Sequence, residues 1–361
     1  MAWLWIIGGL VALTFGADDL IKGASIIAAR FGVPAIVIGL TIVAFGTSAP
    51  EMAVSVNGAF QGQADIAIGN VLGSNIFNIL FILGLSALIS PLLVHKQVIR
   101  VELPIMIAAA VFTYFFVIDG KLDRFEGLAA FGLLVVYILF QLRNSVEQSR
   151  SRSAEDIEAE QALKESVKGS RVWQDWLRIA VGLGLLVFGA DKFVEGAVEI
   201  ARGFGVSELV IGLTIVAAGT SLPEVATSVI AAIKKQTDIA VGNVIGSNIF
   251  NSLGVLGLAG AVSPKSVEVS AQAVNFDFPI SIAASLLCFP LFLRGFRIGR
   301  TEGVGFFAFY VGYVAFLVMD QMGEGPLAGQ QALIVQMAFP IVAMLFMVYA
   351  TRELIKQIHH G

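Results

Sequence analysis

Cysteine, histidine and charged residues are all scarce in this chain of 361 residues, and each scarcity excludes a class of protein. The single cysteine, Cys288, rules out an intramolecular disulfide and disfavours a cysteine-based metal site. Three histidines are too few and too scattered for a histidine-rich metal cage. Only 14% of the residues are charged, whereas a soluble domain has about 25%. The polar residues therefore cannot cover a water-facing surface of this size.

Hydrophobic residues make up 57% of the chain, and the mean hydropathy is +0.84. A membrane-spanning helix needs about 20 mostly apolar residues. The N-terminal segment could instead be a signal peptide, but it lacks a basic start and its continuation recurs later in the chain. We therefore predict an all-α integral membrane protein that begins with its first span. The predicted spans are 2–28, 34–60, 65–90, 98–118, 124–142, 176–201, 207–232, 238–262, 270–293, 302–320 and 330–351.

The only long polar stretch, residues 143–175, predicts a hydrophilic linker. Short loops that are rich in Lys and Arg stay on the cytoplasmic side of a membrane. With the N-terminus outside, 17 Lys and Arg residues fall on the inside and 4 on the outside. The sequence therefore predicts an external N-terminus, a cytoplasmic linker and a cytoplasmic C-terminus.

Two long segments of the chain are copies of each other. Residues 39–91 and 212–264 align without a gap at an offset of 173, and 34 of the 53 aligned positions are identical. A shared apolar bias cannot produce this, because the identities include Gly, Pro, Asn, Ser, Thr and Glu. Five predicted spans separate the copies, and this odd number makes them face opposite ways. Such inverted repeats are typical of secondary transporters, whose binding site lies between the repeats near the bilayer midplane.

Each copy has a glutamate inside an otherwise apolar span, Glu51 in the first copy and Glu224 in the second. A charged side chain at the bilayer centre costs about 2.5–3.5 kcal/mol on insertion scales, so an acid there indicates function. The alternative is a structural acid paired with a buried Lys or Arg, but these two spans contain no base. The acids are therefore candidate ion ligands.

The pattern GTS-x-PE surrounds each glutamate. Proline within a helix removes a hydrogen-bond donor, and the carbonyls that it frees can face a cavity. Carbonyl, hydroxyl and carboxylate oxygens at one helix break suit the hard cations Ca²⁺ and Na⁺ and do not suit soft metals. An ordinary proline kink would explain one copy better than two matched copies. The motif residues are Gly46, Thr47, Ser48, Pro50 and Glu51, and Gly219, Thr220, Ser221, Pro223 and Glu224.

The second half of each copy contains the pattern GN-V-x-GSNIFN. Its serine and last asparagine are four residues apart and share one helix face, so we interpret both as ligands or near-ligands. Its glycines would let this helix approach the broken helix closely. Asn75 and Asn248 would only hold helices together. The ligand candidates are Ser74 and Asn78 in the first copy and Ser247 and Asn251 in the second.

Four aspartates also recur at the offset of 173. Asp18 can pair with Lys22 at i+4, but Asp191 has a second, repelling acid at that position. A shared ion pair therefore fails as an explanation, and we interpret these two acids as structural or gate-lining. Asp65 and Asp238 fall at predicted helix starts, where we expect them to act as N-terminal caps.

On these motifs the chain resembles the cation/calcium exchanger superfamily, and within it the bacterial sodium/calcium exchangers. GTS-x-PE and GSNIFN look like the alpha-repeats of that family, and the likeness covers residues 1–320. The resemblance implies ten helices in two inverted five-helix units, 1–142 and 176–320, joined by the linker 143–175. Residues 321–361 would then form an extra C-terminal span and tail. It also implies alternating-access exchange of three Na⁺ for one Ca²⁺ in a bacterial inner membrane.

The resemblance also implies a set of ion ligands. Some family members have Asp where this chain has Asn251, so the site here would contain two acids, and potassium coupling is disfavoured. Two carboxylates match the charge of one Ca²⁺, whereas three Na⁺ would leave one positive charge, so exchange would be electrogenic. Beyond these ions and the bilayer we expect no cofactor, nucleic acid or protein partner. The implied ligands are the carbonyls of Ala44 and Ala217, and Thr47, Ser48, Glu51, Ser74, Asn78, Thr220, Ser221, Glu224, Ser247 and Asn251.

Three alternatives remain at this point. In a proton/calcium antiporter both glutamates could carry protons, but such relatives look different, with GN-x-x-E in place of GTS-x-PE. An intramembrane enzyme could use the two glutamates as an acid pair, but HExxH, GxSxG and paired-Asp motifs are absent from the sequence. We therefore predict that the protein is not an enzyme. A channel would show ion flux without coupling to a counter-ion.

Overall fold

The computed structural model describes residues 1–148, 171–205, 211, 215, 217–293 and 295–321, and this part of the chain is mostly helical. Most of the predicted linker and the predicted span 330–351 lie outside the described residues. The helices are α1 (Ala2–Phe31), α2 (Ala35–Thr47), α3 (Ala49–Phe60), α4 (Ala64–Ile89), α5 (Val98–Val117), α6 (Arg124–Gln148), α7 (Val172–Gly203), α8 (Ala217–Gly219), α9 (Leu222–Ile233), α10 (Thr237–Val262), α11 (Ala273–Leu293) and α12 (Arg300–Gln321).

Six of these helices are long and apolar enough to cross a membrane, namely α1, α4, α5, α6, α10 and α11. The pair α2 and α3, bent by 47°, would form a seventh span. All of them coincide with predicted spans, and α7 and α12 coincide with the predictions for 176–201 and 302–320. The predicted span 207–232 is described only in part. The described helices agree with an integral membrane protein.

Four two-residue strands form two antiparallel ladders that join the two halves of the chain. The strands are β1 (Leu92–Leu93), β2 (Lys121–Leu122), β3 (Val267–Glu268) and β4 (Arg297–Ile298). β1, just before α5, pairs with β4, just after α11. β2, just after α5, pairs with β3, just before α11. Each ladder therefore joins a loop in the first half of the chain to a loop in the second half.

Helices α1 and α7 pack against each other through glycines on both helices. A Cβ atom built at Gly9 would lie 2.7 Å from the carbonyl oxygen of Gly189, and one at Gly16 would lie 2.8 Å from that of Gly182. Backbones this close leave no room for a side chain, as in other membrane helix pairs with small residues at the interface. This contact was not among the predictions from sequence.

The close crossing makes a stability prediction. Gly189→Ala is expected to lower the thermal unfolding midpoint in detergent, because its Cβ would lie 2.8 Å from backbone atoms of Gly9 and Leu13, and overpacking typically costs about 1–3 kcal/mol. Gly184→Ala on the same helix is the matched control, since no described atom lies within 4 Å of a Cβ built there. The control should be neutral or stabilising, because alanine favours a helix by about 1 kcal/mol over glycine. Equal midpoints for the two variants would contradict the close packing.

The prediction that Asp65 and Asp238 cap their helices is wrong. The N-cap residues are Gln63 and Gln236, so each aspartate is the second residue of its helix. An acid in the first turn still interacts favourably with the helix dipole, which explains why the pattern resembles a cap. Asp238 also lies 3.3 Å from Nε2 of His95, in the loop before α5.

The two aspartates of α1 and α7 make different contacts. Asp18 pairs with the lysine four residues further on, at 2.5 Å, as the spacing predicts, and also with Lys234 at the end of α9. The repulsion expected around Asp191 is relieved, because Lys192 lies 3.2 Å from Asp191 and 2.7 Å from Glu195. Asp18 therefore joins two helices, whereas the recorded ion pair of Asp191 stays on its own helix.

Candidate ion-binding site

The chain breaks its helical path within each GTS-x-PE motif. α2 and α3 meet at Ser48, which has φ −81° and ψ 6°. Ser221 before α9 has φ −89° and ψ 6°. Pro50 and Pro223 lie in the first turn of the following helix, where the missing N–H has no intrahelical partner to lose. The break therefore falls at the serine, and not at a proline inside a continuous helix as the sequence suggested.

Each glutamate accepts a hydrogen bond from a serine of the other copy. Ser221 Oγ lies 2.8 Å from Glu51 Oε1, and Ser48 Oγ lies 3.1 Å from Glu224 Oε1. Ser74 Oγ lies 3.0 Å from Ser221 Oγ and 3.5 Å from Glu51 Oε1. Both glutamates are 0% exposed. The carboxylates of the two copies therefore belong to one buried polar site.

Two asparagines fix the main chain at these breaks. Asn70 Nδ2 donates to the carbonyl of Glu51 at 3.1 Å and to Ser55 Oγ at 2.9 Å, and its Oδ1 accepts from Thr220 at 3.2 Å. Each amide thus bonds the main chain at the glutamate of its own copy and the threonine hydroxyl of the other copy. Both asparagines lie in the GN-V-x-GSNIFN motif, where their recurrence was the available signal, but the sequence alone gave them no role. The second copy repeats the pattern: Asn243 bonds the carbonyl of Glu224 at 3.5 Å, Ser228 Oγ at 3.0 Å and Thr47 Oγ1 at 3.0 Å.

Amides join the two central helices, α4 and α10. Asn78 Nδ2 donates to Asn248 Oδ1 at 3.0 Å, and Asn248 Nδ2 donates to the carbonyl of Asn75 at 3.2 Å. Asn75 Nδ2 donates to Ser252 Oγ at 3.0 Å. Asn75 and Asn248 therefore hold helices together, as predicted. Asn78 takes part in the same contact through its nitrogen.

Several buried polar atoms in this region have no hydrogen-bond partner among the described residues. An unpaired buried polar group costs about 1–3 kcal/mol, so these atoms call for a partner. Most of them are oxygens, which are the ligands that Ca²⁺ takes. The amide of Asn251 is unpaired at its nitrogen as well. The atoms are Glu51 Oε2, Glu224 Oε2, Asn78 Oδ1, Ser247 Oγ, Asn251 Oδ1 and Asn251 Nδ2.

π-helical turns place both of the last motif asparagines. The segment Phe77–Leu83 of α4 is π-helical and contains Asn78, and the segment Phe250–Val255 of α10 contains Asn251. A π-turn adds a residue to the α-helical register, and such turns are frequent at functional sites. Both π-helical segments begin one residue before the asparagine, so the prediction that serine and asparagine share one helix face stays a prediction.

Of the two alanine carbonyls among the implied ligands, the one whose contacts are described is that of Ala44. The carbonyl of Ala44 accepts the N–H of Ser48 at 3.0 Å, and the Thr47 hydroxyl lies 3.3 Å away from it. The Thr47 hydroxyl has a single hydrogen and also lies 3.0 Å from Asn243 Oδ1, so when it donates there the second lone pair of the Ala44 carbonyl is open to a cation. Ala217 begins α8, and its side chain lies outside the described part.

The motif glycines were predicted to let their helix approach the broken helix closely. This prediction is confirmed where both sides of the contact are described. A Cβ atom at Gly246 would lie 2.7 Å from the carbonyl oxygen of Leu40, and one at Gly242 would lie 3.0 Å from that of Ile36. α10 therefore approaches α2 closely. The matched glycines of the first copy have no described atom within 4 Å.

Comparisons with known proteins show which proteins the chain is similar to. The chain is 40% identical to the putative antiporter CaxA of Alkalimonas amylolytica, over 87% of this chain and 97% of that protein. It is 37% identical to the inner membrane protein YrbG of Escherichia coli (strain K12), over 88% and 97% of the two chains. The structure of the sodium-calcium exchanger NCX_Mj soaked with zero Na⁺ and Ca²⁺ matches with a TM-score of 0.74 at 32% identity, covering 87% of this chain and 98% of that one.

The family assignment follows from the extent of the match. The family model described as sodium/calcium exchanger protein matches residues 1–143 and 175–319. The resemblance to cation/calcium exchangers is confirmed, and so is the prediction that the protein is a transporter and not an enzyme. This chain belongs to the sodium/calcium exchanger protein family.

Proposed function

We propose that the protein exchanges Na⁺ for Ca²⁺ across a bacterial inner membrane by alternating access, at the site between the two copies. The proposal rests on a pair of hydrogen bonds that cross between the two copies in both directions. Glu51 and Glu224 are both buried, and each accepts a hydrogen bond from a serine at the helix break of the other copy. The name of YrbG, an inner membrane protein, supports the location.

The proposal includes an architecture of ten helices in two inverted five-helix units, 1–142 and 176–320. The reciprocal ladders β1–β4 and β2–β3 support it, as does the mutual packing of α1 and α7 through glycines. The linker 143–175 and the C-terminus would be cytoplasmic and the N-terminus external, by the bias of Lys and Arg residues. Residues 321–361 would add a C-terminal span and tail.

The proposed ligands are oxygen atoms around the two carboxylates. The hydroxyls that already bond the carboxylates or the motif asparagines would supply part of the shell. The unpaired oxygens of Asn78, Ser247 and Asn251 would supply another part, and each glutamate keeps one unpaired oxygen for the ion. The full proposed set is Ala44, Thr47, Ser48, Glu51, Ser74, Asn78, Ala217, Thr220, Ser221, Glu224, Ser247 and Asn251.

Exchange follows from competition for the same two charges. One Ca²⁺ neutralises both carboxylates, so Na⁺ and Ca²⁺ cannot occupy this shared site together. Three Na⁺ on the same ligands leave one net positive charge, and moving it across the membrane is worth about 2.3 kcal/mol per 100 mV. Exchange would therefore respond to voltage.

Proton/calcium antiport is the second candidate, because CaxA carries the general name of antiporter and each buried glutamate has an oxygen free to hold a proton. The two candidates differ in the driving gradient. Na⁺/Ca²⁺ exchange needs a Na⁺ gradient and works with pH clamped, whereas proton antiport needs a pH gradient and works without Na⁺.

Ca²⁺ uptake into Na⁺-loaded proteoliposomes tests the proposal. With pH clamped by an ionophore, uptake is expected to require internal Na⁺ and to speed up when the interior is made positive, because each cycle carries one positive charge outward. Vesicles loaded with K⁺ or choline are the control. Uptake that follows an imposed pH gradient in the absence of Na⁺ would favour the proton antiporter instead.

A further inference from the structure

A third buried acid lies in a membrane-crossing helix outside the proposed ion site. Glu102 of α5 is 0% exposed. Its Oε2 lies 3.1 Å from Tyr137 Oη and 2.5 Å from Gln141 Nε2, both on α6, and its Oε1 accepts from Gln97 Nε2 at 3.2 Å. All three partners are uncharged. Acids within membrane spans are rare and indicate function by default.

The charged and titratable groups near Glu102 either have other partners or lie away from its carboxyl group. Among the described residues it forms no ion pair with a base. On its own segment, His95 pairs with Asp238 of α10 at 3.3 Å, Lys96 lies over the ring of Phe296 at 5.4 Å, Arg100 is exposed, and Tyr114 lies about three turns further along α5. On α6, Arg124 donates to the carbonyl of Ser263 at 3.1 Å, Glu126 lies at the opposite end of the helix, and Arg143 is exposed. Lys121 of β2 is exposed, Cys288 of α11 is a buried thiol, and Asp277 of α11 bonds Tyr313.

The second copy has a matching pair of an acid and a tyrosine. Tyr313 Oη of α12 donates to Asp277 Oδ1 of α11 at 3.1 Å. Glu102 and Asp277 each end a short π-helical segment and come two residues before a proline. The offset here is 175 for the acids and 176 for the tyrosines, so the repeat at offset 173 did not find them. Leu317 stands where Gln141 would be expected, so only the first copy has the amide.

The hydrogen-bond chemistry at Glu102 fits a carboxyl group that takes up and releases one proton. An ionised carboxylate here would accept hydrogen bonds from neutral groups only and would have no opposite charge paired with it among the described residues, which costs several kcal/mol. As placed, the Gln141 amide faces Glu102 with its nitrogen, and its own oxygen Oε1 has no hydrogen-bond partner among the described residues. The oxygen and nitrogen of an amide are interchangeable by a half-turn. Gln141 could therefore donate to the carboxylate or accept from the carboxylic acid.

We propose that Glu102, Tyr137 and Gln141 form a proton-binding site, separate from the cation site, that makes the rate of transport depend on pH. The step is a simple protonation: the carboxylate takes one proton from water to give a carboxylic acid, which donates its O–H to the Gln141 amide oxygen. Gln97, which donates to Glu102 Oε1 from just before α5, is half-buried.

The link to transport runs through helix packing, and this step rests on the proposed function. α6 packs on the π-helical segment of α10 that contains Asn251, because the side chain of Leu134 lies 2.7 Å from a Cβ built at Gly254. Loss of the proton from Glu102 leaves an uncompensated charge between α5 and α6. The rate of exchange is therefore expected to fall as the pH rises through the titration of Glu102.

Infrared spectroscopy of the purified protein in lipid tests proton binding without any transport assay. At low pH, the difference spectrum of the wild type minus Glu102→Gln should contain the carbonyl-stretch band of one protonated carboxylic acid, and this band should disappear as the pH rises. Gln141→Leu, which copies the second half of the chain, should keep the band but shift its frequency. A difference spectrum that contains only carboxylate bands at every pH would overturn the proton site.

The pH profile of Ca²⁺ uptake tests the regulatory part. Glu102→Gln mimics the protonated acid and should remove the decline in rate with rising pH, whereas Asp277→Asn, the matched change in the second half of the chain, should retain it. Thermal unfolding of both variants checks that they are folded. An unchanged pH profile in Glu102→Gln would overturn the regulatory role. Absence of Na⁺-driven uptake in the wild type would defeat the proposed function, and the infrared result would still stand on its own.

Discussion

Replacing either Glu51 or Glu224 by glutamine is expected to abolish Na⁺-driven Ca²⁺ uptake into proteoliposomes. Each glutamate supplies one of the two negative charges that would balance Ca²⁺, and both are fully buried. Removing one partner of a buried charge pair typically costs about 3–5 kcal/mol. At 1.4 kcal/mol for each factor of ten, this is at least about a hundredfold loss of affinity.

The control for this experiment is Glu195→Gln, the same substitution at an acid of α7 that is 50% exposed and pairs with Lys192. This variant should transport Ca²⁺ at nearly the wild-type rate. The two test variants should remain folded, because glutamine keeps the shape of the side chain and still accepts a hydrogen bond from the opposite serine. Near-normal uptake in both test variants would show that the carboxylates do not bind the ion.

The sequence predicted the central helices and the polar residues by which the two copies meet, because duplication provides an internal comparison. A polar residue that recurs at the same offset in an apolar span is hard to explain by chance, and this signal identified Glu51, Glu224 and the neighbouring serines. The structure brings these side chains of the two copies into hydrogen-bond contact. Where the offset changes after residue 91, the same method failed, and the pair of Glu102 and Tyr137 was missed.

Local geometry was predicted less well, for two physical reasons. The sequence predicted plain α-helices at the two GSNIFN motifs, and the π-helical segments that begin at Phe77 and Phe250 were missed. A helix break was assigned to the proline, but a proline in the first turn of a helix follows the break and does not create it. Neither feature has a strong signature in composition or hydrophobic pattern.

The reciprocal contacts also explain why the site needs both copies. Ser48 and Ser221 occupy the same place in each motif, yet neither bonds the glutamate three residues further on in its own copy. Each bonds the glutamate of the other. A change in the position of one broken helix therefore alters the hydrogen bonds to the glutamates of both halves at once, as the proposed alternating-access site requires.

Asn243→Leu and Asn70→Leu are expected to reduce Ca²⁺ uptake by about tenfold or more, although neither amide is among the proposed ligands. Loss of the Asn243 amide leaves the carbonyl of Glu224, Ser228 and Thr47 without the bonds seen here. Each unsatisfied buried group costs about 1–3 kcal/mol, and the groups affected set the position of a carboxylate and a hydroxyl at the ion.

The chain offers a matched control for these two variants. Asn57→Leu makes the same substitution on the exposed face of α3, where the second copy already has the aliphatic Ile230, so this variant should transport normally. A positioning role predicts a weaker apparent affinity for both Na⁺ and Ca²⁺, measured as the concentrations that give half-maximal exchange. If Asn243→Leu only lowered the thermal unfolding midpoint and left both apparent affinities unchanged, the amide would stabilise the fold without setting the ligand geometry.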